Sequence, residues 1–142
     1  MNRAIVILQG TLQIFVSLGA IVCGIILIFD PTGTAMKMSV RMLSDSPFAD
    51  FFIPGLILFL VNGAGQLVAG VLTLRRSRAS GLLGAVFGIG LMIWIFVQVN
   101  MIGGRAGLQY TYFAFGVIET AFAFFIHGGL LDSTSPSGKG VE

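Results

Sequence analysis

The stretch "LQYTYFAFGVIETAFAFFIHG", residues 108–128, is an almost continuous apolar run with one carboxylate, Glu119, in its middle. Its length matches the roughly 20 residues that a helix needs to cross the ~30 Å hydrocarbon core of a bilayer. Three further runs have the same character: 4–29, closed by "DPTG"; 51–74, closed by "RRSR"; and 79–103, closed by "GGRAG". The whole 142-residue chain is 56% hydrophobic and 10% charged, with 20 glycines. Its mean hydropathy is +0.97, whereas soluble domains carry about 25% charged residues. The reading is an all-α integral membrane protein: one membrane domain, built as an antiparallel four-transmembrane-helix bundle. Residues 129–142, rich in Ser, Gly and Pro, read as a flexible cytoplasmic tail.

The first run is far longer than the roughly 7–15-residue apolar region of a cleaved signal, so it is expected to remain as a helix. The single cysteine, Cys23, excludes an internal disulfide and a CxxC pair. The net charge of +2 is small and scattered, so no nucleic-acid partner is expected. Arg3, Arg75, Arg76, Arg78 and Lys139 lie on one side of the membrane, and Lys37, Arg41 and Arg105 on the other. Three of the first group sit in one tight loop. The positive-inside rule then places both termini in the cytoplasm of a bacterial inner membrane. The sizeable loop between the first two runs has Met36, Val40 and Leu43 at helical spacing, with Lys37, Arg41 and Ser44 on another side. That pattern predicts a short interfacial amphipathic helix, either a plain connector or a lid over an external opening. Asp45 or Ser46 is expected to cap the chain segment leading into the second run.

At 100° per residue the polar groups inside the runs share faces. Gln9, Gln13, Ser17, Ala20 and Gly24 form one arc. Gly55, Asn62, Gln66, Ala69, Gly70 and Thr73 form a second, and Gly81, Gly84, Ala85 and Gly88 a third. Tyr112, Gly116, Glu119, Ala123 and His127 form the fourth, with Phe113, Val117, Phe124 and Phe125 left to face lipid. Hydrocarbon cannot satisfy polar groups, so the stripes are expected to face one another. Gln13, Asn62, Gln66 and Glu119 fall within about two turns of the midplane and are the candidate binding residues. No Lys or Arg lies at that depth, so Glu119 is expected to be neutral and to hydrogen-bond to spans one and two. His127 is a candidate single axial ligand to a haem or pigment. The sequence requires no cofactor and offers no metal-binding cluster.

"SPFADFFIPGLILFLVNGAGQLVAG" (46–70) and "GLMIWIFVQVNMIG" (90–103) resemble a group of short uncharacterised bacterial four-span integral membrane proteins. The likeness spans 30–103. It departs at "RAGLQYTYF", where the group carries a Trp-Leu-x-Pro type segment. The resemblance implies the fold and a bacterial origin and carries no activity.

Three functional classes compete. The polar stripe is glue, and the chain is a structural or accessory subunit of a larger membrane complex. Alternatively, Glu119 serves a homodimeric transporter or a binder of a small lipophilic ligand, since intramembrane ionisable groups default to function. An enzyme is not expected, because catalysis wants clustered acids, nucleophiles or metal ligands, and here the one His, the one Cys and the one buried acid lie at separate levels.

Overall fold

In a computed structural model, which describes residues 2–103 and 107–134, every regular element is helical. Four helices are long and apolar enough to cross a membrane: α1 (Arg3–Phe29), α2 (Phe52–Leu74), α3 (Ser80–Ile102) and α4 (Gly107–Thr134). The protein is a multi-pass membrane protein with the antiparallel four-helix architecture that its composition demands.

Asn2 starts α1 by accepting the Ala4 N–H on its side chain at 2.9 Å. Asp50 does the same for α2, accepting from Phe52 N–H at 2.9 Å. Of the two expected caps for the segment leading into α2, Ser46 is the one used: it accepts the Phe48 N–H and donates to the Leu43 carbonyl. Helix α4 runs on to Thr134, so 129–134 continue a helix where a tail was expected. No proline intervenes before Pro136, and nothing else in the sequence stops the helix. The remainder of the expected tail, 135–142, lies outside the described residues, as does Arg105.

The chain packs mainly as two pairs, α1 on α2 and α3 on α4, joined by further α1–α4 and α2–α3 contacts. The α3–α4 crossing is set by glycine. A Cβ on Gly88 would lie 2.9 Å from Thr120 N and 3.0 Å from the Gly116 carbonyl oxygen, so the backbones touch where small residues allow it. The outward faces are apolar and exposed, as a lipid-facing surface requires: Phe15 and Val22 on α1, Leu82, Ile93 and Phe96 on α3, Phe124 and Phe125 on α4.

The loop between α1 and α2 is not one amphipathic helix. It forms two short 3₁₀ turns, Thr34–Met36 and Val40–Leu43, broken at Lys37, which adopts a left-handed φ of 56°. The amphipathic pattern is nonetheless used. Leu43 is buried with Leu27 and Phe51, and Met36, Met38 and Phe48 pack against them. The loop thereby sits down on the ends of the bundle. Within α2, Leu58–Gly65 is π-helical, wound with i→i+5 bonds, before α geometry resumes at Gln66. Such stretches are rare and frequently mark functional positions.

Candidate functional site

Two polar features lie inside the bundle, one above the other. The deeper is centred on Glu119, whose side chain is 0% exposed. Gln66 on α2 donates from Nε2 to Glu119 Oε2 at 2.5 Å. Gln9 on α1 donates from Nε2 to the Glu119 carbonyl oxygen at 3.1 Å. Three helices are thus tied at one level, and α3 approaches them through Gly84. A Cβ there would meet Gln9 Nε2 at 2.8 Å and Ala123 Cβ at 3.0 Å. Gln13, one turn along α1 from Gln9, is equally buried. It packs beside α2, where a Cβ on Gly70 would come within 3.2 Å of Gln13 Cβ.

This core is incompletely paired. Glu119 Oε1, Gln66 Oε1, Gln9 Oε1 and both amide atoms of Gln13 are buried without a hydrogen-bond partner among the described residues. The neighbouring hydroxyls do not help them. Ser17 donates to the Ile14 carbonyl, Thr73 to that of Ala69, Thr120 to that of Gly116, and Ser80 to that of Ser77. Each serves its own helix or the turn beside it, a common use of Ser and Thr in apolar surroundings.

The second feature is a cavity of about 140 Å³ between the four helices, beneath Met36 and Met38 of the first loop. Its walls are largely apolar: Val16, Ala20, Leu27, Leu58, Leu91 and Ile95, with Trp94 on one side. Its polar lining comes from Asn62, Gln98, Gln109 and Tyr112, and among the described residues no Asp, Glu, Lys or Arg reaches it. Asn62 is 3% exposed, and its side chain forms no hydrogen bond among the described residues. Gln109 is 7% exposed, and its Oε1 is buried without a partner among the described residues. Cys23 also lines the space.

The residues singled out in the sequence therefore separate. Gln13, Gln66 and Glu119 belong to the deep core, whereas Asn62 belongs to the cavity. His127 belongs to neither. Its side chain is exposed, its backbone rests on Gly81, and Ile126 takes the buried position at 2% exposure. The reason is helical phase: residue 126 lies about 20° from Glu119 around α4, and residue 127 about 80°. Among the described residues no group of three or more His, Cys, Asp or Glu is placed to hold a metal.

Two functional positions fell outside the candidate set. Gln9 shares the Gln13 arc and was visible as the preceding turn of the same stripe. Gln109 lies on the Gly116–Glu119 face but two residues from the start of α4, where a glutamine reads as an interfacial residue. No protein family matches the chain, and no curated protein or solved structure matches it either.

Proposed function

We propose that this protein binds a small, neutral, mostly apolar molecule in the cavity beneath the first loop. The observation that carries this reading is the pair of amides, Asn62 and Gln109. Each is more than nine-tenths buried, incompletely hydrogen-bonded, and set in the wall of an otherwise apolar space. Buried polar groups without a partner are uncommon in proteins, and two in one cavity wall suit a ligand that carries a carbonyl or hydroxyl. The cavity is of the size that accepts a single ring such as benzene. Its lining among the described residues contains no charge, so a charged ligand would be left uncompensated by them. A ring ketone, a phenol or the polar head of a longer lipophilic molecule fits these terms.

A purely adhesive role, as an accessory subunit held by its polar stripe, is less well supported. Glue works by pairing its polar groups across helices, and here many of them are unpaired. The orientation inferred from the Lys and Arg distribution places the cavity on the outer side of a bacterial inner membrane, with both termini in the cytoplasm. A homodimer or larger assembly would not alter the site, because it lies within one chain.

Cys23 provides the test. Its reaction with a small neutral thiol reagent, in protein purified in a mild detergent, reports access to the cavity. A panel of neutral ring ketones and phenols is expected to slow that reaction at least several-fold, and Asn62→Leu together with Gln109→Leu to abolish the protection. If no compound protects Cys23, and native mass spectrometry of protein from its own membranes finds no bound small molecule, the reading fails.

A further inference from the structure

The Glu119 core contains more acceptors than donors. Gln9 Nε2 is committed to a backbone carbonyl and Gln66 Nε2 to the carboxyl. Turning the Gln9 amide round would set its oxygen against a carbonyl oxygen, and turning Gln66 would set oxygen against oxygen wherever the carboxyl is ionised. What remains unpaired is chiefly oxygen: Oε1 of Gln9, Gln13, Gln66 and Glu119, against the one unpaired nitrogen of Gln13. The surrounding hydroxyls are spent on carbonyls of their own helices or turn.

Charge sharpens the imbalance. The residues bonded to Glu119 are Gln9 from α1 and Gln66 from α2; Gly84 of α3 packs on Gln9 and Ala123, Thr120 and Ala123 flank it on α4, and Gln13 lies one turn along α1 from Gln9, beside Gly70. None is basic, and no Lys or Arg lies inside any of the four spans beyond Arg3 at the start of α1. A buried carboxylate must be neutralised or paired. A proton would remove the charge but add only one donor for four oxygens. A cation answers both needs, since it neutralises the carboxylate and accepts several oxygens at once. Hard cations take carboxylate and amide-carbonyl oxygens as ligands, and buried oxygens in broken or irregular membrane helices hold Na⁺ in known transporter architectures. With one carboxylate in the site, a divalent ion would leave a net positive charge in low dielectric, so the balance selects a monovalent one.

We propose that Gln9, Gln13, Gln66 and Glu119 form an intramembrane site for a small monovalent cation of the sodium class, ligated by their Oε1 atoms. The site is separate from the cavity and does not depend on the ligand proposed for it.

The test compares thermal unfolding of the purified full-length protein in about 100 mM NaCl and in choline chloride of equal ionic strength, since an ion that binds only the folded state raises Tm by mass action. The expected result is a Tm several degrees higher in NaCl, saturable in NaCl concentration, with radiolabelled sodium bound at one equivalent per chain. Glu119→Gln should abolish the sodium-dependent rise. Gln13→Met is the more telling variant. Gln13 makes no hydrogen bond among the described residues, so its replacement strands nothing. The variant should be at least as stable as the parent in choline and yet lose most of the sodium response. Equal Tm values in the two salts for the parent, together with a Tm that depends on pH alone, would overturn the proposal in favour of a proton on Glu119. A sodium response retained in both variants would also overturn it, by placing the ion elsewhere.

Discussion

Replacing Gly88 with alanine tests the packing on which both sites stand. The new Cβ would lie 2.6 Å from Thr120 Oγ1, 2.9 Å from Thr120 N and 3.0 Å from the Gly116 carbonyl oxygen. Two of these atoms are backbone and cannot swing away, so α3 and α4 must separate to restore ordinary contact. A radial gap of about 0.5–1 Å forfeits a quarter to a half of each dispersion well along the crossing, and overpacking of this kind costs about 1–3 kcal/mol. Alanine also returns about 1 kcal/mol of helix propensity relative to glycine. Gly90 supplies the control. It lies in the same helix two residues on, and a Cβ there meets nothing within 4 Å. The propensity gain is common to both variants and cancels in their difference, leaving the steric contribution alone. Gly88→Ala should therefore be less stable than Gly90→Ala by about 1–3 kcal/mol, measured by reversible unfolding in mixed micelles with increasing SDS. Equal stabilities, or a more stable Gly88→Ala, would show that the crossing is not where these contacts put it.

Further outcomes are expected. In sodium-free buffer Glu119→Gln should stay close to the parent, because an amide oxygen still accepts from Gln66. Glu119→Leu strands that donor and should cost about 1–3 kcal/mol by the same unfolding assay; a stable leucine variant would count against the Gln66 bond. The Asp30 carboxyl is held below the ordinary carboxylate range by the Thr32 hydroxyl and the Ala35 N–H. Its folded-state pKa is depressed, so its contribution to the first-loop corner is present above the unfolded value and is lost as pH falls through the lowered one. Protection of the Ala35 amide, taken relative to its intrinsic exchange rate at each pH, should accordingly fall in acid and be reduced in Asp30→Asn at all pH values, and unchanged protection in both would contradict the assignment. A reporter active only outside the cytoplasm should stay silent when fused to the C-terminus, and activity there would invert the proposed orientation.

The bundle was legible because membrane insertion imposes a strong and simple pattern. Apolar length located each span, and the arcs of Gln, Asn and Gly located each inner face. The burial of Glu119 followed from the same periodicity. What the sequence did not reveal depended on tertiary detail. The π-helical stretch over Leu58–Gly65 has no distinct signature in "LFLVNGAG", since two glycines and an asparagine are equally at home in a plain membrane helix. It holds Asn62, in the cavity wall, and ends just before Gln66, on Glu119. The arc drawn for α4 reached His127 by steps of three and four residues, and the accumulated phase carried that side chain off the inner face. The first loop read as a single amphipathic helix because its apolar spacing is real. The left-handed turn at Lys37, which splits it in two and folds Met36 and Met38 over the cavity, follows from the close seating of Leu43 on Leu27 and Phe51.

The distribution of satisfied and unsatisfied polar groups argues that the core was shaped by more than adhesion. Interhelical polar contacts in membranes contribute about 0.6 kcal/mol on average, so the Gln66 and Gln9 bonds to Glu119 together stabilise the bundle by roughly 1 kcal/mol. Each buried polar atom left without a partner costs about 1–3 kcal/mol, and the same core holds five of them. An arrangement of leucines would hold these helices at least as well. The serines and threonines of the bundle make the contrast plain, for Ser17, Thr73, Ser80 and Thr120 all donate to nearby carbonyls. The unsatisfied groups are the long amides and the carboxyl, the side chains able to reach into a shared space and ligate something within it. They occur in two places, around Glu119 and in the wall of the outer cavity. On stability alone both are liabilities, and the ion and the ligand proposed for them would supply the partners that the chain withholds.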